Sequence, residues 1–440
     1  MRFRASEVAA ATGGRLIGIG AEADVMIDGV SFDSRSIVPG QLFVPLIDAR
    51  DGHDFIDVAI AAGASCYLSS RPIAATAVSA VMVDDTLRAL MRLAADRRRR
   101  SPSTVIGITG SVGKTSTKDL AWAALAATRR TWANERSFNN DQGVPTTILN
   151  APDDTEVMVL EMGMRGFGEI ARLCEIAAPT IGVVTRVAEA HSDRVGGIAG
   201  VARAKAELIA ALPSTGVAVL NGDDPFVRAM ATTSPAAVVM FGTAEDCDVR
   251  IVDVRLDGLA RASFGLQTPW GTVDVRLGVS GGHMVANAAA ALACVGVVGG
   301  DVIAGAAALS DVELTAMRMH VATAASGATV LDDSYNANPT SMRAALDALA
   351  SLPATRRIAV LGVMAEISDP VEEHRAITRY AQALGIEVIP VGTDLYSPSA
   401  QILCVGALEE LEELGPGDAV LVKGSRIAGL DRLAATLRAR

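Results

Sequence analysis

The sequence predicts an α/β protein built in three parts, and three observations predict it. Short apolar runs alternate with helix-length stretches along nearly the whole chain, the pattern of parallel strands joined by crossover helices. Half of the 440 residues are hydrophobic but only 4% are aromatic, so the cores must be filled mainly by Ala, Val, Leu and Ile. The rhythm restarts near residues 99 and 312, each time with a fresh series of strands and helices. A chain of this length has room for roughly two to four domains.

The first part, residues 1–98, is a small N-terminal α/β domain with strands in QLFVPLI and SAVMVDD and a helix around FIDVAIAAGA. It closes on DRRRRSPS, which reads as a solvated helix end and linker rather than a phosphate-binding patch. The second part, 99–311, opens on the buried strand TVIGITG. It continues through VMVLEMG, EIARLCEIA, TIGVVTRV, GVARAKAELIAAL and VAVLNGDD. This alternation predicts a mostly parallel sheet with right-handed crossovers and helices on both faces. DVRIVDVRL and TVDVRLGV read as an antiparallel addition. VANAAAALACVGVVGG reads as a buried helix rather than a membrane span, being rich in Ala and Gly and holding Asn287. The third part, 312–440, runs ATVLDDS, SMRAALDALASL, RRIAVLGVM, HRAITRYAQALG, IEVIPVG, DAVLVKGS and a last helix. It is expected to be Rossmann-like, with sites beyond the carboxyl ends of its strands.

Composition narrows the function. A formal net charge of −11 argues against a nucleic-acid partner held through phosphates. No signal peptide is read in MRFRASEVAAATGG, where Glu7 interrupts the early apolar residues. Cys66, Cys174, Cys247, Cys294 and Cys404 are far apart without a CxxC pair, so they read as reduced thiols in a cytoplasmic protein.

The stretch GITGSVGKTSTKDL is a phosphate-binding loop with unusual spacing. The common form has four residues between its first glycine and the Gly-Lys pair; counting back from Gly113 finds Ile108 there. The setting is nonetheless right, with a buried strand before it and a helix after it. Gly110 and Gly113 let backbone N–H groups face an anion at the helix N-terminus. Lys114 would reach the phosphates, and Thr115 would offer its hydroxyl to Mg²⁺. Thr109, Gly110, Ser111, Val112, Gly113, Lys114, Thr115 and Ser116 are therefore expected around ATP, which makes the second part P-loop ATPase-like. The alternative is a turn that only caps a helix.

Lysine usage sharpens this. Of 39 basic residues only Lys114, Lys118, Lys205 and Lys423 are lysine. A chain that writes arginine for generic charge keeps lysine where a compact amine, able to lose its proton, is needed; four leftover surface lysines are the alternative. Glu161 directly follows the apolar run VMVL, at the carboxyl edge where a hard oxygen ligand belongs.

TGSVGKTSTK resembles the ATP loop of the Mur ligases, which is cut in this same way. DSRSIVPGQLFVPL and DGHDF resemble that family's UDP-sugar-holding N-terminal domain. SFNNDQGVPTTIL, EMGMRGFGEI, GVARAKAEL and GGHMVANAAAALA are similar to its central motifs, and LDDSYNANPTSM and LVKGSR to its C-terminal ones. The resemblance covers nearly the whole chain in order. It implies ATP and Mg²⁺ as cofactors, with Thr115, Glu161, His191 and a carbamylated Lys205 at the metals, and Lys114, Lys205 and His191 at the catalytic centre. It also implies Asn287 near adenine, Arg318 reaching ATP from a domain border and Asp333 on the ribose. Asp33, Ser34 and Arg35 would contact uridine diphosphate, Asn139 and Asn140 the sugar-peptide, and Asn336, Asn338 and Lys423 substrate. Lys118 would face nucleotide or acyl substrate, and His320 a domain border. LDDSYNANP points to the member that joins D-alanyl-D-alanine to UDP-N-acetylmuramoyl-tripeptide through an acyl phosphate, as a monomer whose third domain closes over the second. Val363, Ile367-Ser368, Arg186 and Met284 depart from the usual motifs and bear on the identity of the incoming amine. The rivals are a sister or folylpolyglutamate-like ligase, a plain P-loop ATPase or kinase, and a non-catalytic UDP-sugar scaffold.

Overall fold

The central sheet forms where the chain is apolar on both faces. The computed structural model describes residues 2–17, 24–73, 78–135, 137–188, 195–365, 367–397 and 414–439. In the strand Thr104–Thr109 every residue after Thr104 is buried. Val105 packs in one cluster with Met158, Leu160 and Val184, while Ile106 and Ile108 pack in another with Val159, Val183 and Val219. Successive side chains point to opposite faces, so this strand is covered on both sides, as parallel sheets are.

The nine strands of this sheet run in the order Gly271–Ser280, Arg261–Thr268, Val249–Leu256, Ala237–Gly242, Val217–Asn221, Ile181–Val184, Thr104–Thr109, Val157–Glu161 and Thr131–Ala133. Every pairing from Thr131–Ala133 to Val249–Leu256 is parallel. The last two pairings are antiparallel, as the sequence predicts. From Thr109 the chain first goes to the far edge, returns as Val157–Glu161, and then crosses to the other side as Ile181–Val184. The carboxyl end of Thr104–Thr109 is therefore a switch point, where a crevice opens beyond the strand ends.

Behind that crevice the helix Lys114–Ala126 packs against the alanine-rich helix Met284–Val297. Ala288, Ala289, Ala290, Ala291 and Ala293 are all fully buried. Alanine favours the helix, and its small side chain lets the two helices approach closely.

The N-terminal region pairs Arg2–Arg4 with Met26–Asp28 and builds a five-stranded sheet containing Cys66–Ser69 and Ser79–Met82. The strand expected in QLFVPLI is only Leu42–Phe43; Pro45, just beyond, has no N–H for a ladder. The arginine run departs from its solvated reading. Helix Thr86–Arg100 is capped by Asp85, which accepts from Arg88 N at 2.8 Å. Within it Arg98 is buried and donates to Ala177 O, Ser101 O and Ser103 O at 2.8, 2.9 and 3.0 Å. It clamps the helix end to the linker before Thr104–Thr109 and to the end of helix Glu169–Ala177, because a long forked cation reaches three carbonyls at once.

The third sheet runs His320–Thr323, Thr329–Asp333, Asp418–Lys423, Arg356–Leu361 and Glu387–Pro390, antiparallel only at its first pairing. Asp333 and Lys423 are register partners at the carboxyl edge. Cys66, Cys174, Cys247 and Cys294 are buried free thiols, and Cys404 lies outside the described residues. Among the described residues no helix is long and apolar enough to cross a membrane.

Candidate active site

Between the carboxyl ends of the central and third sheets lies a cleft of about 840 Å³. The shortened loop forms one wall. Its glycines are structural necessities: a Cβ on Gly110 would sit 1.9 Å from Thr185 Oγ1, and Gly113 adopts φ +83° with a Cβ position 2.6 Å from Asn287 Oδ1. The segment leaving Ile181–Val184 holds the loop from beside. Thr185 Oγ1 donates to Val112 O at 2.6 Å, Ser111 N to Arg186 O at 2.7 Å, and Ser111 Oγ to Ala188 O at 2.8 Å. Lys114 Nζ folds back onto Gly110 O at 2.7 Å.

Gly110, Ser111, Val112, Gly113, Lys114, Thr115 and Ser116 all line the cleft. Thr109 does not. It is buried beneath the loop, donating from Oγ1 to Met162 O at 2.9 Å, because it is still the last residue of the strand.

Glu161 ends its strand 1% exposed. One carboxylate oxygen accepts from Thr115 Oγ1 at 2.8 Å and the other from Asn139 Nδ2 at 2.6 Å. Its own N–H is held by Asn134 Oδ1 at 2.6 Å. Arg318 reaches from the start of the third region to donate to Thr115 Oγ1 at 3.1 Å, with its guanidinium 4.2 Å above the Tyr335 ring.

Lys205, on helix Ile198–Ala210, is buried and lines the same cleft. It makes no hydrogen bond or ion pair among the described residues. Burial first, and then the charge of Lys114, hold its amine well below the ordinary lysine value. His191 lies outside the described residues.

On the opposite wall Lys423 pairs with Asp333 and donates to Asn336 O at 2.9 Å. Asn338 caps helix Pro339–Ala350, accepting from Ser341 N at 2.9 Å, and still faces the cleft. Asn140, two residues before the N-cap Gln142 of helix Gly143–Asn150, accepts from Gly143 N at 3.0 Å and also lines the cleft. Asn287 lines the cleft beside Gly113.

Asp33, Ser34 and Arg35 do not line it. Arg35 instead donates to Asp33 at 2.8 and 2.7 Å, on a loop joined to the Asn139 segment by a Phe32–Phe138 ring contact of 5.9 Å. Lys118 is also absent from the cleft. Its amine is buried against Asn134 O at 2.9 Å and Asp119 at 2.9 Å, one helical turn deeper than Lys114. His320 is exposed on an edge strand near Arg438, and His53 is buried between Asp51 and Ser70.

Sequence reasoning missed Asn134, Thr185, Tyr335 and His283. Thr185 was within reach of the strand-end rule, since it follows TIGVV at the carboxyl edge. His283 is half-buried in the cleft wall, and its Nδ1 atom is buried and unpartnered among the described residues.

Residues 108–295 match the Mur ligase middle domain, and residues 317–426 match the Mur ligase glutamate ligase domain. The UDP-N-acetylmuramoyl-tripeptide–D-alanyl-D-alanine ligase of Mycobacterium tuberculosis is 40% identical, over 93% of this chain and 91% of the relative. The chain belongs to the Mur ligase family. Its fold agrees: MurF from Acinetobacter baumannii superposes with a TM-score of 0.87 at 28% identity, covering 100% and 99% of the two chains. MurF from Thermotoga maritima, solved in complex with ADP, gives 0.80 at 26% identity over 93% and 97%. In this Mur ligase two of the departures line the cleft, Arg186 and Met284, whose Sδ accepts from Asn287 Nδ2 at 3.5 Å; Val363, Ile367 and Ser368 do not line it, although Val363 O accepts from N of the cleft residue Ser425 at 2.9 Å.

Proposed function

We propose that this chain uses ATP to join D-alanyl-D-alanine to UDP-N-acetylmuramoyl-tripeptide in cytoplasmic peptidoglycan precursor synthesis. One observation carries the reading. Lys114, Thr115, Glu161 and Lys205 converge in one cleft whose far wall bears Asp333, Asn336, Asn338 and Lys423. The names of its relatives supply the substrates.

The donors fit magnesium. Thr115 Oγ1 and Glu161 are hard oxygens already in contact, and among the described residues no cluster of three His, Cys, Asp or Glu competes for a metal. When bound, Mg²⁺ neutralises phosphate charge during phosphoryl transfer. A carbamylated Lys205 would add a further oxygen ligand, and its buried amine, unpaired among the described residues, supports that reading, since carbon dioxide adds only to a neutral amine.

The peptide carboxylate oxygen attacks the γ-phosphorus, the bond to the β-phosphate oxygen breaks, and ADP leaves. The amine of D-alanyl-D-alanine then attacks the acyl phosphate carbonyl. An amide forms, inorganic phosphate departs with the electron pair of the broken C–O bond, and the amine proton passes to phosphate or solvent. Loop N–H groups and Lys114 hold the phosphates, while Asn139 and Asn140 lie beside the carboxylate's approach. Asp333 is read on the ribose, Asn287 on adenine, and the loop bearing Asp33, Ser34 and Arg35 on uridine diphosphate. We read domains over 1–98, 99–311 and 312–440, and a monomer, since one chain supplies both walls.

The deciding assay supplies ATP, Mg²⁺ and UDP-N-acetylmuramoyl-tripeptide with and without D-alanyl-D-alanine, and reads phosphate and product mass. Phosphate release should depend on the dipeptide; release without it would identify a plain ATPase. A different preferred amine in a panel of acceptors would identify a sister ligase.

A further inference from the structure

His374 has no part in the reaction as read above, yet it is a fully buried polar side chain that ends on the backbone of a cleft loop. It lies on helix Pro370–Ala383, and its Nδ1 is 2.5 Å from Pro370 O one turn back. A carbonyl can only accept, so Nδ1 carries the proton and Nε2 is left as an acceptor. Nε2 accepts the Met364 N–H at 2.8 Å. Burial holds the imidazole below its ordinary titration range, so the neutral ring persists at neutral pH.

The same loop is gripped at each neighbouring residue. Tyr396, packed edge-on against the imidazole at 4.7 Å, donates its hydroxyl to Gly362 O at 2.8 Å. Ser425 N donates to Val363 O at 2.9 Å, and Ala365 N donates to Ser425 Oγ at 2.8 Å. Residues 362–365 form no helix or strand, so these bonds set their path. Ala365 and Ser425 line the cleft on the side of Asn336 and Asn338.

We infer that His374 is a positioning residue, which fixes the backbone at Met364 and through it the wall that receives the amine substrate. The inference rests on the ligase reading, in which that wall receives D-alanyl-D-alanine.

Two substitutions separate the ring's two bonds. His374→Gln keeps an acceptor as far along the side chain as Nε2 but loses the Nδ1 donor; His374→Asn keeps the donor and loses the acceptor. Steady-state kinetics of the full chain should show the KM for dipeptide raised on the order of tenfold in the Asn variant and within about twofold of wild type in the Gln variant. The KM for ATP should be unchanged in both. Tyr396→Phe removes only the Gly362 grip, and should raise the same parameter even if the Asn variant does not fold. Equal dipeptide KM values in wild type, H374N and Y396F would overturn the inference, as would equal effects of Gln and Asn or a parallel change in the KM for ATP. A wild type that releases phosphate without needing the dipeptide would overturn the ligase reading itself, and this inference with it.

Discussion

At Lys205 the proposed carbamate makes the choice of amine over guanidinium a matter of reactivity, not of charge. A buried amine held below its usual value is available to carbon dioxide, whereas arginine stays protonated. Lys205→Ala should abolish dipeptide-dependent phosphate release, and short-chain carboxylic acids should restore part of it. Lys205→Arg should stay inactive despite keeping the charge; full activity in that variant would remove the carbamate from the mechanism. His374 supports a prediction about pH. Its folded value lies below 6.5, so as pH falls through 6.5 the unfolded chain takes up a proton before the folded one does. The ring should thus cost nothing at pH 8 and an increasing amount below 6.5, at up to about 1.4 kcal/mol per pH unit. Urea unfolding of wild type and His374→Gln should diverge on the acid side only; parallel curves down to pH 5 would count against it. The lysines could be read from the chain because they are scarce, and three of the four line the cleft. Lys118 was misread because spacing along a helix does not reveal which face is covered. Asn134 and Thr185 were missed because polar residues after strands are common and only contact singles them out.

The phosphate loop could be read as an element because a buried strand, two glycines and a helix occur in one order. Its shortened form works because Thr185 and Arg186, far away in sequence, complete the cradle. Gly110→Ala tests this: its methyl would collide with Thr185 Oγ1, and ADP affinity by calorimetry should fall about tenfold or more while the circular dichroism spectrum is kept. Binding as tight as wild type would mean the loop has slack that the geometry denies. The helix pair behind the loop has equally little room. Ala290 is fully buried, so Ala290→Leu should destabilise by about 1–3 kcal/mol in chemical denaturation. The short Leu42–Phe43 strand and the buried Arg98 show the limit of reading elements locally, since a proline just downstream decided the one and the carbonyl of Ala177, 79 residues away, helped decide the other.

For the whole molecule the decisive contact is Arg318, which joins the third region to Thr115 while stacked on Tyr335. If this link aligns the two walls, Arg318→Ala should raise the KM for ATP about tenfold, the scale of a lost hydrogen bond to a charged group. Small-angle scattering should also show wild type contracting when ATP and both substrates are added; identical profiles with and without them would argue against closure. The α/β class, the succession of strands and helices along the chain and the character of the loop were determined by the chain alone. Hydrophobic period, glycine placement and the reactivity of an amine are local properties, written residue by residue. Tertiary structure alone decided which carboxylate meets which hydroxyl, that Lys118 turns inward, that Asp33 and Arg35 pair outside the cleft, and that His374 grips a loop ten residues before it. Those are distances between residues remote in sequence or set by loop paths, and packing rather than local pattern determines them.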